Sequence, residues 1–106
     1  MLVTVNDLKK EPGQYDGHRI VVTGRVQSIE IQRGRRGSEY VMMVLEGEST
    51  SANGPGQTIQ VISLSPPTVR EGYSALVQGT YHVEGKQAGR PFENFIDAEV
   101  ILKDKL

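Results

Sequence analysis

Residues 15–31 read YDGHRIVVTGRVQSIEI, and the fold depends on this stretch. Ile20, Val22 and Val26 are separated by even numbers of residues, so they lie on one face of a single β-strand. Gly24 falls on the same face, at a position where an apolar side chain is expected. A glycine inside a strand weakens it unless the chain must bend there or another backbone must come close. The stretch therefore predicts a long strand with a bend or a close contact at Gly24.

The apolar pattern of this strand changes phase after Val26. The next apolar residues, Ile29 and Ile31, lie at odd spacings from it. A change of phase within one strand indicates a β-bulge, which kinks the strand and increases its twist. A strand that carries both a glycine and a bulge can curve enough to pair at its two ends. That property is required of the first strand of a small closed barrel.

Short apolar runs separated by glycine, proline and serine continue along the chain and favour an all-β domain. Four further strands are predicted, at residues 39–46, 58–64, 73–83 and 92–102. The strand at 39–46 is apolar on both faces, so we expect it at the centre of the sheet. In the strand at 73–83, every second residue from Ala75 to Val83 forms one alternating face that includes Gly79.

A single helix is predicted, over residues 4–11, TVNDLKKE. Thr4 and Asp7 stand at the spacing of a capping box, with aspartate in place of the more common glutamate. Pro12 ends the segment, because proline disfavours a helical conformation in the residue before it. With only about two turns, the helix depends on packing for its stability.

The composition limits the classes of protein to which the chain can belong. Its 106 residues fit one domain, spanning 1–106, and the net charge of −1 gives no general attraction for nucleic acid. It has no cysteine, so disulfides and thiolate metal sites are excluded. No apolar run is long enough to cross a membrane, and the first residues lack the features of a secretory signal. We therefore expect a cytoplasmic protein, provided that no signal precedes Met1, and no cofactor.

The pattern of five strands, with a glycine in the first and fourth and a phase change in the first, resembles the OB-fold. Residues 7–26, DLKKEPGQYDGHRIVVTGRV, are similar to the start of bacterial OB-fold domains of the tRNA-anticodon-binding and replication-protein-A type. Residues 70–82, REGYSALVQGTYH, resemble their fourth strand. The resemblance implies a five-stranded Greek-key barrel with a short N-terminal helix. The family often has a helix where this chain has residues 65–72, SPPTVREG, so we expect Leu8 of the N-terminal helix to fill the bottom of the barrel.

The resemblance also implies a place for a ligand. OB-folds bind ligands across strands two and three, between the loop that joins strands one and two and the loop that joins strands four and five. On this sequence those loops are residues 32–38 and 84–91, whereas the glycine-rich loop at 47–57 has no basic residue. The two loops hold five of the twelve basic residues, which are Arg33, Arg35, Arg36, Lys86 and Arg90.

Three aromatic residues are candidates for stacking on nucleic-acid bases. Tyr40 lies on the second predicted strand, and Phe92 and Phe95 lie on the fifth. Phe95 is out of phase with Ile96 and Ala98, so we expect its ring to be exposed. For Tyr40 two interpretations remain open, a surface platform and a core residue with its hydroxyl at the rim.

The sequence thus predicts a module that binds single-stranded DNA or RNA without strong sequence specificity, through phosphate contacts and base stacking. The alternative is an OB-fold module for protein interaction or oligomerisation, in which the basic residues only solubilise two hairpins. No catalytic arrangement is found, and the isolated histidines, His18 and His82, do not have the spacing of metal ligands. We therefore expect neither an enzyme nor a metalloprotein.

Overall fold

The computed structural model describes residues 2–34, 37–47, 56–64, 67–87 and 89–104. These ranges contain two short helices and six strands. In chain order they are β1 (Leu2–Val3), α1 (Val5–Lys10), α2 (Pro12–Tyr15), β2 (Arg19–Arg33), β3 (Glu39–Glu46), β4 (Thr58–Ser63), β5 (Ser74–Gln87) and β6 (Arg90–Lys103). No helix in the described part of the chain is long and apolar enough to cross a membrane.

Five strands close into a barrel. Neighbouring strands follow the order β2, β3, β4, β6, β5, and the pairing of β2 with β5 completes the ring. All these pairs are antiparallel except β4 with β6, which run parallel. The central position predicted for residues 39–46 is confirmed, because β3 lies between β2 and β4. The two-residue strand β1, which the sequence did not predict, pairs with the β2 edge at Val21 and Val22.

The bend in β2 is confirmed. Residues 19–25 pair with β5 and residues 25–33 pair with β3, so Arg25 contributes to both halves of the barrel wall. A Cβ atom placed on Gly24 would lie 2.6 Å from the carbonyl oxygen of Glu46 on β3, far inside the normal contact distance. The register also shifts between Val26 and Ser28, at the predicted bulge. The glycine is therefore required by a close approach of two backbones.

The capping box at the start of α1 is present. The Asp7 amide donates to Thr4 Oγ1, and the Thr4 amide donates to Asp7 Oδ2, each at 3.0 Å. Leu8 is fully buried in the barrel core, as predicted. α1 ends before Pro12, as predicted, with Glu11 outside helical geometry at a φ of −135° and a ψ of 65°. A second short helix, α2, which the sequence did not predict, begins at Pro12. Proline is favoured in the first turn of a helix, where its missing N–H costs nothing.

The main core fills the barrel with side chains from every strand and from α1. The alternating face predicted in β5 is confirmed, with Ala75, Val77 and Tyr81 buried. Val69, in the connection between β4 and β5, is also buried in this core. The N-terminal helix and this connection together supply the apolar contacts that a helix between the strands would otherwise provide.

The prediction of a long loop at 84–91 is wrong. Strand pairing continues from Glu84 with Glu93 to Gln87 with Arg90, and Gly89 has a φ of 77° at the turn. The positive φ of Gly89 allows a two-residue connection, so the strands on both sides can pair up to the turn. Residues 83–87 and 90–94 therefore form a β-hairpin, called the β5–β6 arm below. Likewise, β2 extends to Arg33, inside the region predicted as the loop at 32–38.

Candidate nucleic-acid interface

A groove of about 650 Å³ lies between the outer face of the barrel and the β5–β6 arm. Val44 of β3 and Gln60 of β4 belong to its floor. They point outward, because their neighbours along each strand are buried in the core. Among the described residues, the lining consists of Lys9, Val44, Thr58, Ile59, Gln60 and residues 91–94. Since β3 and β4 are the second and third strands of the barrel, the groove occupies the face at which an OB-fold binds ligands.

A small aromatic cluster holds the arm against this outer face. Its buried members are Tyr40, Ile62 and Phe95, and it is separate from the barrel core. The rings of Tyr40 and Phe92 meet edge to face with centroids 5.8 Å apart, and those of Phe92 and Phe95 are also 5.8 Å apart. Aromatic pairs of this kind contribute about 0.5–1.5 kcal/mol beyond the burial of their area. The cluster therefore fixes one wall of the groove.

This cluster corrects the expectation for Phe95. Its ring is 0% exposed, so the prediction that it lies on the surface is wrong. The residue does point away from the barrel interior, as its phase indicated, but His82 covers it at a ring distance of 5.3 Å. Gly85 completes the cover, since a Cβ there would lie 3.1 Å from the Phe95 ring. A ring enclosed in this way offers no face to a base.

Of the two other aromatic candidates, one is available to a ligand. Tyr40 is only 4% exposed, which settles its two interpretations in favour of the buried one. Phe92 is half-buried and lines the groove. Together with Lys86, it also lines a second cavity of about 470 Å³. Phe92 is thus the stacking candidate whose position suits that role.

The two hairpins that carry basic residues meet next to Pro91, which lines the groove. Arg90 Nε donates to the carbonyl oxygen of Arg33 at 3.0 Å, which joins the turn of the arm to the end of β2. The side chains of Arg33, Lys86 and Arg90 are exposed. Among the described residues the ion pair within 4.0 Å is that of Arg19 with Glu99, so none of these three is neutralised there. Arg35 and Arg36 lie outside the described residues.

The groove also contains polar residues that the sequence did not identify. Asn94 has a φ of +49° within β6 and accepts a hydrogen bond from the Tyr81 hydroxyl at 2.9 Å. Asparagine tolerates this left-handed conformation better than most residues. Burial raises the pKa of Tyr81, and the charge of Asp16 raises it further. No local pattern marks Asn94, because its role depends on the Tyr81 hydroxyl.

The described residues do not form a metal-binding site. Within the ranges that the structure describes, no three histidine, aspartate or glutamate side chains come together as a metal ion would require. Of the described residues that line the groove, one is acidic, Glu93, and one is basic, Lys9. The chemistry of the groove is therefore that of apolar contact, hydrogen bonding and isolated charges.

Comparison with known proteins identifies the fold. No protein-family model matches the chain, and no curated protein matches it in sequence. A small single-stranded DNA-binding protein from Streptomyces coelicolor matches in structure with a TM-score of 0.57 and 20% identity, over 83% of this chain and 93% of that one. The chain has an OB-fold. The mitochondrial single-stranded DNA-binding protein Rim1 from S. cerevisiae also has a TM-score of 0.57, with 12% identity over 85% of this chain and 99% of its own.

Proposed function

We propose that this chain is a non-catalytic module that binds single-stranded DNA in the groove, without strong sequence specificity. The observation that carries the proposal is the groove lined by half-buried Phe92, together with the exposed cations of two joined hairpins, one of which, Arg90, directly precedes the lining residue Pro91. A positive groove with an aromatic platform is how proteins hold single strands. The two structural neighbours, both single-stranded DNA-binding proteins, support this choice of ligand.

In this proposal Arg33, Lys86 and Arg90 contact phosphates, and Arg35 and Arg36 of the same β2–β3 hairpin add to them. Phe92 stacks on a base, which is worth about 1–3 kcal/mol. Neither interaction distinguishes one base from another, because every nucleotide has a phosphate and every base has an aromatic face. Weak sequence preference follows from these contacts.

Fluorescence anisotropy with a labelled oligodeoxythymidylate tests the proposal. The logarithm of the binding constant should fall linearly with the logarithm of the salt concentration, by about 0.7 for each phosphate contact on a single strand. Arg33→Gln should make this slope shallower by about 0.7, whereas Arg70→Gln, at an exposed position in the connection between β4 and β5 and in neither basic hairpin, should leave it unchanged. Absence of binding at low salt would refute the proposal.

The contribution of Phe92 to binding can be measured separately from that of the basic residues. Phe92→Ala should weaken binding by about 1–3 kcal/mol, and Phe92→Tyr, which keeps an aromatic face, should restore most of it. Thermal unfolding of both variants controls for damage to the aromatic cluster. Equal affinity of the alanine and tyrosine variants would exclude Phe92 as a stacking platform.

The resemblance to tRNA-anticodon-binding and replication-protein-A domains makes RNA the alternative ligand. Displacement of the labelled DNA by unlabelled DNA and by unlabelled RNA of the same length decides between the two ligands. We expect DNA to compete better, in keeping with the structural neighbours. A clear preference for RNA would move the chain to the anticodon-binding type.

A second candidate function is protein interaction or self-association. It is favoured by apolar side chains on the outer surface of the barrel, where Leu2 is 75% and Leu102 is 53% exposed. In addition, β1 stands at the end of the strand order, so one of its edges pairs with no described strand and can accept a strand from a partner. Light scattering measures this directly. A stable dimer without affinity for oligonucleotides would favour this function over the first.

A further inference from the structure

The N-terminal helix contributes a residue to the groove. Lys9, in the last turn of α1, belongs to the lining, as do residues 91–94 of the β5–β6 arm. Within the described residues this is the one basic side chain in the lining, and it is exposed there. The sequence predicts a helix over residues 4–11 that contains Lys9, and it gave no reason to associate Lys9 with the groove.

The position of Lys9 is fixed by the packing of its helix. Val5 and Leu8 are both fully buried, so these two side chains anchor α1 in the core. Val5 also packs against the end of β3, where a Cβ on Gly47 would lie 2.8 Å from the Val5 Cβ. The capping box holds the first turn. The backbone of Lys9 is therefore presented rigidly, while its long stem can adjust to a ligand.

Among the described residues, the lining carries one charge of each sign. Glu93 of the arm repels phosphates, and Lys9 of α1 attracts them. Thr58, Gln60 and Asn94 also belong to the lining, and their hydroxyl and amide groups can contact base edges. The cations of the joined hairpins are on the side of the arm, because Arg90 directly precedes the lining residue Pro91.

We propose that Lys9 is a phosphate-binding residue and that a bound single strand runs from the hairpin cations along the groove to α1. This inference rests on the proposed function and extends its site to the N-terminal helix. The phosphate backbone follows the α1 wall, and the bases face Gln60 and Phe92. The bound segment is therefore longer than the hairpin cations alone would hold.

The experiment must distinguish phosphate binding by Lys9 from a role in stabilising its own helix. Lysines in the last turn of a helix interact favourably with its dipole, and Lys9 and Lys10 both occupy that turn. Both are exposed, but Lys10 does not line the groove. Lys10→Gln is thus a matched control, because it removes the same charge from the same turn of the same helix.

The experiment measures binding of labelled oligodeoxythymidylates by the full chain and its Lys9→Gln, Lys10→Gln and Lys9→Arg variants between 50 and 200 mM salt. Loss of one phosphate contact makes the salt slope shallower by about 0.7, so the wild type should lose about 2.6-fold more affinity across this range than Lys9→Gln. Lys10→Gln should follow the wild type, and Lys9→Arg should restore its slope. In a length series, the effect of Lys9→Gln should appear only once the oligonucleotide is long enough to reach α1.

The possible failures are distinguishable. If the wild type binds but Lys9→Gln and Lys10→Gln give the same slope, Lys9 does not contact phosphate, while the proposed function stands. An effect of Lys9→Gln that is equal at every oligonucleotide length overturns the direction proposed for the strand. If the wild type does not bind at low salt, the proposed function fails and this inference with it.

Discussion

Replacement of Gly24 by alanine tests the bend on which the barrel depends. The added methyl group would lie 2.6 Å from the Glu46 carbonyl oxygen and 2.9 Å from Leu45 Cγ. Close C···O contacts in proteins are about 3.3–3.6 Å, so β2 and β3 must move apart by roughly 0.7 Å or more. A backbone carbonyl in a strand ladder cannot rotate away as a flexible side chain could. The strain must therefore be taken up by strand pairing and by repacking of Leu45.

Two effects of opposite sign compete in this variant. Alanine restricts the unfolded chain and should stabilise a strand interior by about 0.5–1 kcal/mol relative to glycine. Overpacking of a tight site costs about 1–3 kcal/mol, and weakening one or two ladder hydrogen bonds costs about 0.5–1.5 kcal/mol each. The steric cost is larger, about 1.5–6 kcal/mol in all, so we expect a net loss of about 0.5–5.5 kcal/mol. With an unfolding entropy near 2.1 cal/mol/K per residue, this loss lowers the Tm by about 2–25 °C.

Thermal unfolding followed by circular dichroism measures the effect, with Gly13→Ala as the reference. A Cβ on Gly13 meets nothing within 4 Å, and this residue lies inside α2. Gly13→Ala should therefore leave the Tm unchanged or raise it, because alanine is favoured over glycine in a helix by about 1 kcal/mol. A Gly24→Ala variant that unfolds at or above the wild-type temperature would refute the close approach of β2 and β3.

Three further predictions concern other parts of the structure. Leu8→Ala should lose about 2–5 kcal/mol in urea denaturation, because Leu8 is fully buried, and a Lys10→Ala control should change stability by less than about 0.5 kcal/mol. Asn94→Ala should cost about 1–2 kcal/mol for its left-handed backbone, and Asn94→Gly should cost less in the same assay despite losing the same hydrogen bond from Tyr81; equal losses would show that the backbone conformation carries no cost. The raised pKa of Tyr81 means that the folded protein holds this proton more tightly than the unfolded chain. Its contribution to stability should therefore be present below about pH 10 and lost as the pH rises through the folded-state pKa, and Tyr81→Phe should abolish this dependence in pH-resolved urea melts.

The features that the sequence predicted correctly are those that a few neighbouring residues determine. The glycine and the phase change in β2 are properties of one strand, and both appear where the pattern placed them. The capping box needs only Thr4 and Asp7. The alternating face of β5 follows from the pleat of a strand whose one side is buried. Each of these predictions required no knowledge of a distant contact.

The errors arose where distant segments meet. The exposure of Phe95 could not be judged from its phase, because His82 and Gly85 of the neighbouring strand cover an outward-facing ring. The loop predicted at 84–91 is strand because its two sides pair with each other, which a glycine-rich sequence does not reveal. Lys9 reaches the groove only through the docking of α1. The predicted fold therefore indicated where the candidate site lies. Some of the residues that line it could not be assigned to it from the sequence.

The parallel pairing of β4 with β6 has a consequence for how the molecule forms during synthesis. β6 is the last of the described strands in chain order, and it completes the wall by joining both β4 and β5. Pairing between segments far apart in sequence makes folding slow. A nascent chain halted on the ribosome before β6 emerges would expose the unpaired borders of two strands, so we expect such a chain to stay unfolded or to recruit chaperones until translation has passed that point.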